Sequence, residues 1–203
     1  YSEEYKMNTS KKSIAIKLPD TQQYQDSSYG VGDNLMTYVG EDDELMFSNM
    51  CGYLVIKLKG SGKVKSITLT GNNGEQLAGD AKFYYDSNPR IEIANNGGGL
   101  IIGDIIETIT LDCGDGVMLD ADRVTEFFFV VLPQTFDKGL TIEAECSDGT
   151  KLTKSTNKKV IIERNTIQPM ASLDVEGGAP ANKIWYTATA KVEPNKTNVF
   201  GAN

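Results

Sequence analysis

The strongest constraint on this chain is an alternation of apolar and polar side chains with a period of two residues, repeated along its length. Ile14, Ile16 and Leu18 alternate with Ser13, Ala15 and Lys17, and the run ends at Pro19, which has no N–H for a ladder. Leu54, Ile56 and Leu58 alternate with Val55, Lys57 and Lys59 before Gly60-Ser61-Gly62, and the run Val64 to Thr70 ends in Gly71-Asn72-Asn73-Gly74. Leu140, Ile142 and Ala144 alternate with Thr141, Glu143 and Glu145, and Asp148-Gly149 then marks a hairpin into 151–155. Successive side chains of a strand point to opposite faces, so this pattern predicts half-buried strands. No window of 15 residues carries a 3.6-residue apolar face; one turn of helix at 165–170, limited by Pro169, is the only helical expectation.

Further strands are expected at 77–85, 91–94, 107–112, 126–132 and 159–163. Turn clusters separate them at Asn88-Pro89, Asn95 to Gly99, Cys113 to Gly116 and Asp137 to Gly139. Short strands with regular turns predict an all-β antiparallel sandwich or barrel with few or no helices. Phe127 to Leu132, followed by Pro133, is the most apolar run and is expected to be a central strand covered on both faces.

Composition then removes several functions. The 203 residues include no histidine, so Ser-His-Asp and Cys-His catalysis are impossible within the chain, and the commonest transition-metal ligand is absent. Cys51, Cys113 and Cys146 form no C-x-x-C pair, so no zinc cage is encoded; they read as buried small hydrophobes, or as one bridge with a thiol left over. With 28 acids against 20 bases the formal charge is -8, which disfavours a nucleic-acid partner. The longest strongly apolar run has six residues, against roughly 20 for a membrane-spanning helix. The start YSEEYKMNTSKK has neither an apolar core nor a cleavage site and does not open with Met, so the chain reads as a piece of something longer.

Few motifs carry chemistry. Asp112, Asp115, Asp120 and Asp122 do not match the EF-hand spacing and read as turn formers, and Glu41 to Glu44 as a solvated loop. Gly97-Gly98-Gly99 lacks the Lys-Ser/Thr ending of a phosphate loop. No metal, cofactor or catalytic residue is assigned, and the chain is expected not to be an enzyme. Aromatic rings can stack on sugars, and Tyr84 and Tyr85, adjacent in a strand, point to opposite faces. Tyr85 and Trp185 are the two positions singled out for ligand contact.

Several phrases, taken in order, resemble one family. Phe47-Ser48-Asn49-Met50-Cys51-Gly52-Tyr53-Leu54, Lys63 to Glu75, Leu77-Ala78-Gly79, Ile109 to Gly114 and Val131 to Gly139 resemble the fimbrillin-like surface proteins of Gram-negative anaerobes. The likeness covers 44–175 and implies an antiparallel transthyretin-like β-sandwich of Greek-key type there. By the same resemblance 1–43 form the end of a first β-sandwich and the interdomain passage. Residues 176–203 form a linker and a tail, similar to the start of a surface leucine-rich-repeat region. The implied function is non-enzymatic cell-surface adhesion or a fimbrial role, by strand complementation or as a display stalk. The alternative is a glycan-binding module of a nutrient-uptake system. Implied partners are other subunits and host or bacterial surface ligands. The implied location is the outer surface, with membrane attachment through an upstream lipid anchor. Arg90, Arg123 and Arg164 are the only arginines, and none lies in the N-terminal region where the pilus-forming members are cut.

Overall fold

Strands form where the alternation predicts them. The structure, a computed structural model, describes residues 7–8, 12–38, 47–93, 105–175 and 190–191, and among these there is no helix. In chain order the strands are β1 (Met7–Asn8), β2 (Ser13–Leu18), β3 (Thr21–Gln25), β4 (Ser28–Tyr29), β5 (Met36–Thr37), β6 (Ser48–Asn49), β7 (Gly52–Lys59), β8 (Lys63–Gly71), β9 (Ala78–Tyr84) and β10 (Arg90–Ile93). They continue with β11 (Ile105–Ile106), β12 (Thr108–Met118), β13 (Thr125–Val131), β14 (Gln134–Phe136), β15 (Leu140–Cys146), β16 (Lys151–Ser155), β17 (Val160–Ile162), β18 (Thr166–Pro169), β19 (Leu173–Asp174) and β20 (Ala190–Lys191).

Three sheets carry the fold. One runs β1-β2-β9-β10 with β11 also on β9; a second runs β13-β7-β18-β20 with β19 also on β7; a third runs β16-β15-β8-β12-β3-β4. Pairing is mostly antiparallel, with parallel contacts of β3 on β12 and of β18 and β19 on β7. Two short ribbons, β5-β6 and β14-β17, lie outside these sheets.

The β7 sheet is the middle layer. Leu54, Ile56 and Leu58 of β7, with Phe127, Phe129 and Val131 of β13, meet Val64, Ile67 and Leu69 of β8, Ile109 and Leu111 of β12 and Leu140, Ile142 and Ala144 of β15. Cys51, Tyr53, Val130 and Leu132 form a second cluster, onto which Leu18, Tyr29, Ile91 and Ile93 pack. Ile16, Met50, Ala81 and Phe83 complete the packing beside the β2-β9 pair. Each fully buried Leu, Ile or Phe contributes roughly 1.5–3 kcal/mol of transfer free energy, so the two-sided middle sheet is the main source of stability.

Three expectations need correcting. Residues 165–170 extend as β18 and do not turn as a helix, because Ile167, Gln168 and Pro169 pair in parallel with Tyr53, Leu54 and Val55. Pro169 sits at the strand's end, where a missing N–H costs least. The turn expected at 113–116 is instead a bulge inside β12, whose register against β8 jumps between Asp112 and Val117, with Gly114 and Gly116 at positive φ. The run 127–132 is covered on both faces, but β13 ends its sheet and is not central. Strands β2 and β3 pair with β9 and β12, so 13–25 are built into the same sheets as 78–118.

An edge strand leaves backbone groups unpaired, and here a side chain meets part of that need. Gln22 is 2% exposed; its Nε2 donates to the Val130 carbonyl at 2.7 Å and its Oε1 accepts from the Val130 N–H at 2.9 Å. A carboxamide thereby copies the two bonds of a neighbouring strand. Gln22→Ala strands a buried donor and a buried acceptor and should cost about 2–4 kcal/mol in chemical denaturation. Gln22→Leu should cost a similar amount; a Leu variant as stable as the parent would mean that the site needs volume and not hydrogen bonds.

Candidate functional site

The middle sheet ends in β13 on one side and in the tail on the other. Thr166 and Ile167 of β18 pair antiparallel with Lys191 and Ala190, so a segment beyond residue 176 supplies the last strand of this sheet. The opposite edge of the six-stranded sheet is β16, which carries Lys151 and Lys154, charges of the kind that discourage edge-to-edge association. Lys151 bridges Glu143 and Glu145 at 2.9 and 3.1 Å.

Of the two positions singled out for ligand contact, Tyr85 is half-buried and packs against Phe83, with ring centroids 6.4 Å apart. Its N–H donates to the Lys12 carbonyl at 2.9 Å. Trp185 lies outside the described residues, as do Gly97 to Gly99 and Glu41 to Glu44. Tyr84 has the Arg90 guanidinium 4.2 Å above its ring, so that face is occupied. Arg90 also hydrogen-bonds Asp86 and Glu92, and its bond to Asp86 holds that carboxyl below the usual range.

The turn aspartates serve their own backbone. Asp112 accepts from the Gly114 N–H at 2.8 Å, and Asp120 from the N–H groups of Asp122 and Arg123 at 2.7 and 3.0 Å. All three cysteines are free and buried; burial pushes the Cys51 and Cys113 thiols up to about 12, which leaves them protonated and unreactive at neutral pH.

Leu18, Gln22, Asp33, Cys51, Val130 and Leu132 line a small cavity with room for about one water. Asp33 accepts from the Gln23 N–H at 3.1 Å, yet burial raises its carboxyl above the usual range. A raised carboxyl favours the folded state when protonated, so this group's contribution is fully present below the unfolded carboxyl value and falls as pH rises through the folded one. Asp33→Asn can keep the acceptor. Thermal melts should place it at or above the parent at pH 7, with that advantage gone in acid below the unfolded value; a variant less stable at pH 7 would contradict the assignment.

A row of polar side chains crosses the junction of β5-β6 with the start of β18. Asn34 donates to Asn49 at 2.8 Å, Asn49 donates to Asn165 at 2.9 Å, and the Arg164 Nε donates to the Asn49 carbonyl at 2.7 Å. Backbone geometry sets the row: Met50 N–H bonds the Leu35 carbonyl at 2.8 Å, and Asn165 N–H bonds the Cys51 carbonyl at 3.0 Å. Gly52 allows the approach, since a Cβ there would meet Ile162 Cγ2 at 2.6 Å and overlap the Glu163 carbonyl oxygen. Asn165 holds φ 58°, a conformation asparagine tolerates better than most residues. Sequence reasoning missed this row, because its members are scattered over 130 positions; the scarcity of arginine was the one available signal.

No family model and no curated protein matches the chain. Two solved structures resemble it distantly, each of a "putative cell adhesion protein". For the one from Bacteroides ovatus the TM-score is 0.43 at 11% identity, over 89% of this chain and 66% of that one. For the one from Bacteroides fragilis the TM-score is 0.36 at 9% identity, over 76% and 49%. The chain thus spans about two thirds of the first and half of the second.

Proposed function

We propose that the chain is a non-enzymatic cell-surface adhesion or fimbrial protein that works by strand complementation or as a display stalk. The observation that supports this reading is the β18 edge, closed by two residues from the far end of the chain. A strand from a distant segment meets unpaired N–H and C=O groups by the same chemistry whether it comes from its own chain or from a neighbour. The reading places the protein at the outer surface, held by an upstream lipid anchor, with other subunits as partners. Within it, 176–203 form the linker and tail that complete or exchange the edge.

Removing 176–203 tests it. The shortened chain should bind a synthetic 183–203 peptide in trans, with saturation in fluorescence anisotropy, and should associate at high concentration in light scattering where the full chain stays monomeric. A shortened chain that stays monomeric and ignores the peptide would rule out complementation and leave display alone.

A further inference from the structure

The connection between β8 and β9 carries two adjacent asparagines in very different settings. Asn72 is tightly held: its N–H donates to the Gly139 carbonyl at 3.1 Å, its Nδ2 reaches the Lys138 and Thr156 carbonyls at 3.0 and 2.8 Å, and its Oδ1 accepts from Thr141 at 2.7 Å. Asn73 is exposed, and its carboxamide bonds no described residue. The next residue, Gly74, is exposed too; it has φ 72°, and its N–H makes no hydrogen bond of ordinary geometry to a described residue. Among the described residues Asn73 is the one asparagine followed by a glycine. Two carboxylates stand close by. Glu75 accepts from the Asn73 N–H at 2.8 Å, and a Glu107 oxygen lies 3.4 Å from where a Cβ on Gly74 would sit.

An asparagine so placed can modify itself. Its carboxamide and the following amide nitrogen are both free to turn, and glycine has no Cβ to hinder a five-membered ring from closing between them. We propose that Asn73-Gly74 is a self-modification site at which Asn73 becomes isoaspartate and aspartate, with water as the co-reactant. The Gly74 nitrogen gives up its proton and attacks the Asn73 Cγ; a C–N bond forms, the Cγ–Nδ2 bond breaks, and Nδ2 leaves with a proton as ammonia. Water then opens the cyclic imide. Cleavage at the side-chain carbonyl gives aspartate, and cleavage at the main-chain carbonyl gives isoaspartate, with no change of oxidation state. The product sets a third carboxylate beside Glu75 and Glu107, which repel it. Isoaspartate also adds one carbon to the backbone next to Asn72, whose side chain fixes the Lys138 and Thr156 carbonyls. The modification therefore loosens the Asn72 clamp as the protein ages. It does not involve the β18 pairing with the tail, so it stands or falls separately from strand complementation.

The test ages the full 203-residue chain for weeks in neutral buffer made with oxygen-18 water, beside a free peptide spanning 69–77 and the Asn73→Gln variant. Glutamine keeps the amide, but its longer side chain no longer closes the five-membered ring. Peptide mapping by mass spectrometry is expected to find labelled oxygen entering at position 73, within about tenfold of the rate in the free peptide, and none at position 72. Isoaspartate should be the larger product, counted with an isoaspartate-specific methyltransferase. Modified chains, separated by their added charge, should melt below unmodified ones, while Asn73→Gln aged alike keeps its melting temperature. That variant also accounts for any change at Asn96-Gly97, which lies outside the described residues. An Asn73 that reacts more than about tenfold slower than the free peptide would show that the turn protects it and would overturn the proposal. Asn72 modified as fast as Asn73, an isoaspartate form that melts with the parent, or a fall in melting temperature shared by Asn73→Gln would do the same.

Discussion

Phe129→Ala should be among the most damaging of the core truncations, lowering stability by about 3–5 kcal/mol. Its ring is completely buried in the main cluster, where β13 and β7 face the six-stranded sheet, and Phe129 pairs directly across from Leu54. Truncation removes the transfer free energy of the ring and leaves a hole that two stacked sheets cannot close without shifting their ladders. The neighbour Phe128 points the other way and is only half-buried, so Phe128→Ala should cost clearly less. Urea denaturation of the two variants side by side checks the difference. Equal losses would mean that the strand, and not the face, sets the cost.

Gly139→Ala should cost about 2–5 kcal/mol and lower the melting temperature by roughly 5–20 °C. Gly139 has φ 74°, and a Cβ there would overlap the Thr156 carbonyl oxygen and lie 2.7 Å from its carbon and 2.9 Å from the Lys158 oxygen. None of these atoms belongs to a flexible side chain. The Thr156 carbonyl is further fixed by Asn72, whose Nδ2 also reaches the Lys138 carbonyl, while Thr141 donates to the Asn72 oxygen at 2.7 Å. Gly149 provides the control, since it too has positive φ (83°) but nothing stands within 4 Å of its added Cβ. Gly149→Ala should show the backbone strain alone, about 1–2 kcal/mol, and the gap between the two variants in thermal melts measures the steric part.

Strands whose two faces meet different environments were legible in the sequence. Ser13 to Leu18 and Leu140 to Cys146 alternate because one side of each meets the core, and both strands form where the alternation places them. Thr21 to Gln25 was not legible: it is a polar strand whose inward residues are Gln22 and Tyr24, and its place depends on a parallel partner at 110–112. Phe127 to Leu132 reads as central because both faces are apolar, yet burial of faces comes from stacked layers whereas position within a sheet comes from hydrogen bonding. Asn165 to Met170 reads as one turn of helix limited by Pro169; a long-range partner in β7 overrides that local reading. The polar row around Arg164 left no periodic trace, since two turns and the two-residue strand β6 bring it together, and such short segments carry no period.

The carboxamide that finishes the middle sheet also has a consequence in time. Gln22 and Val130 lie 108 positions apart, and Asn49 and Asn165 116 apart. No short stretch of the chain can close these contacts by itself, because the partners are 108 and 116 positions apart, and loop closure over such spans precedes any energetic return. Folding should therefore be late and cooperative, in the millisecond-to-second range of non-local β proteins. Short hairpins such as β9-β10 and β15-β16 can form on their own, but the middle sheet closes only once residues on both sides of these long spans are present.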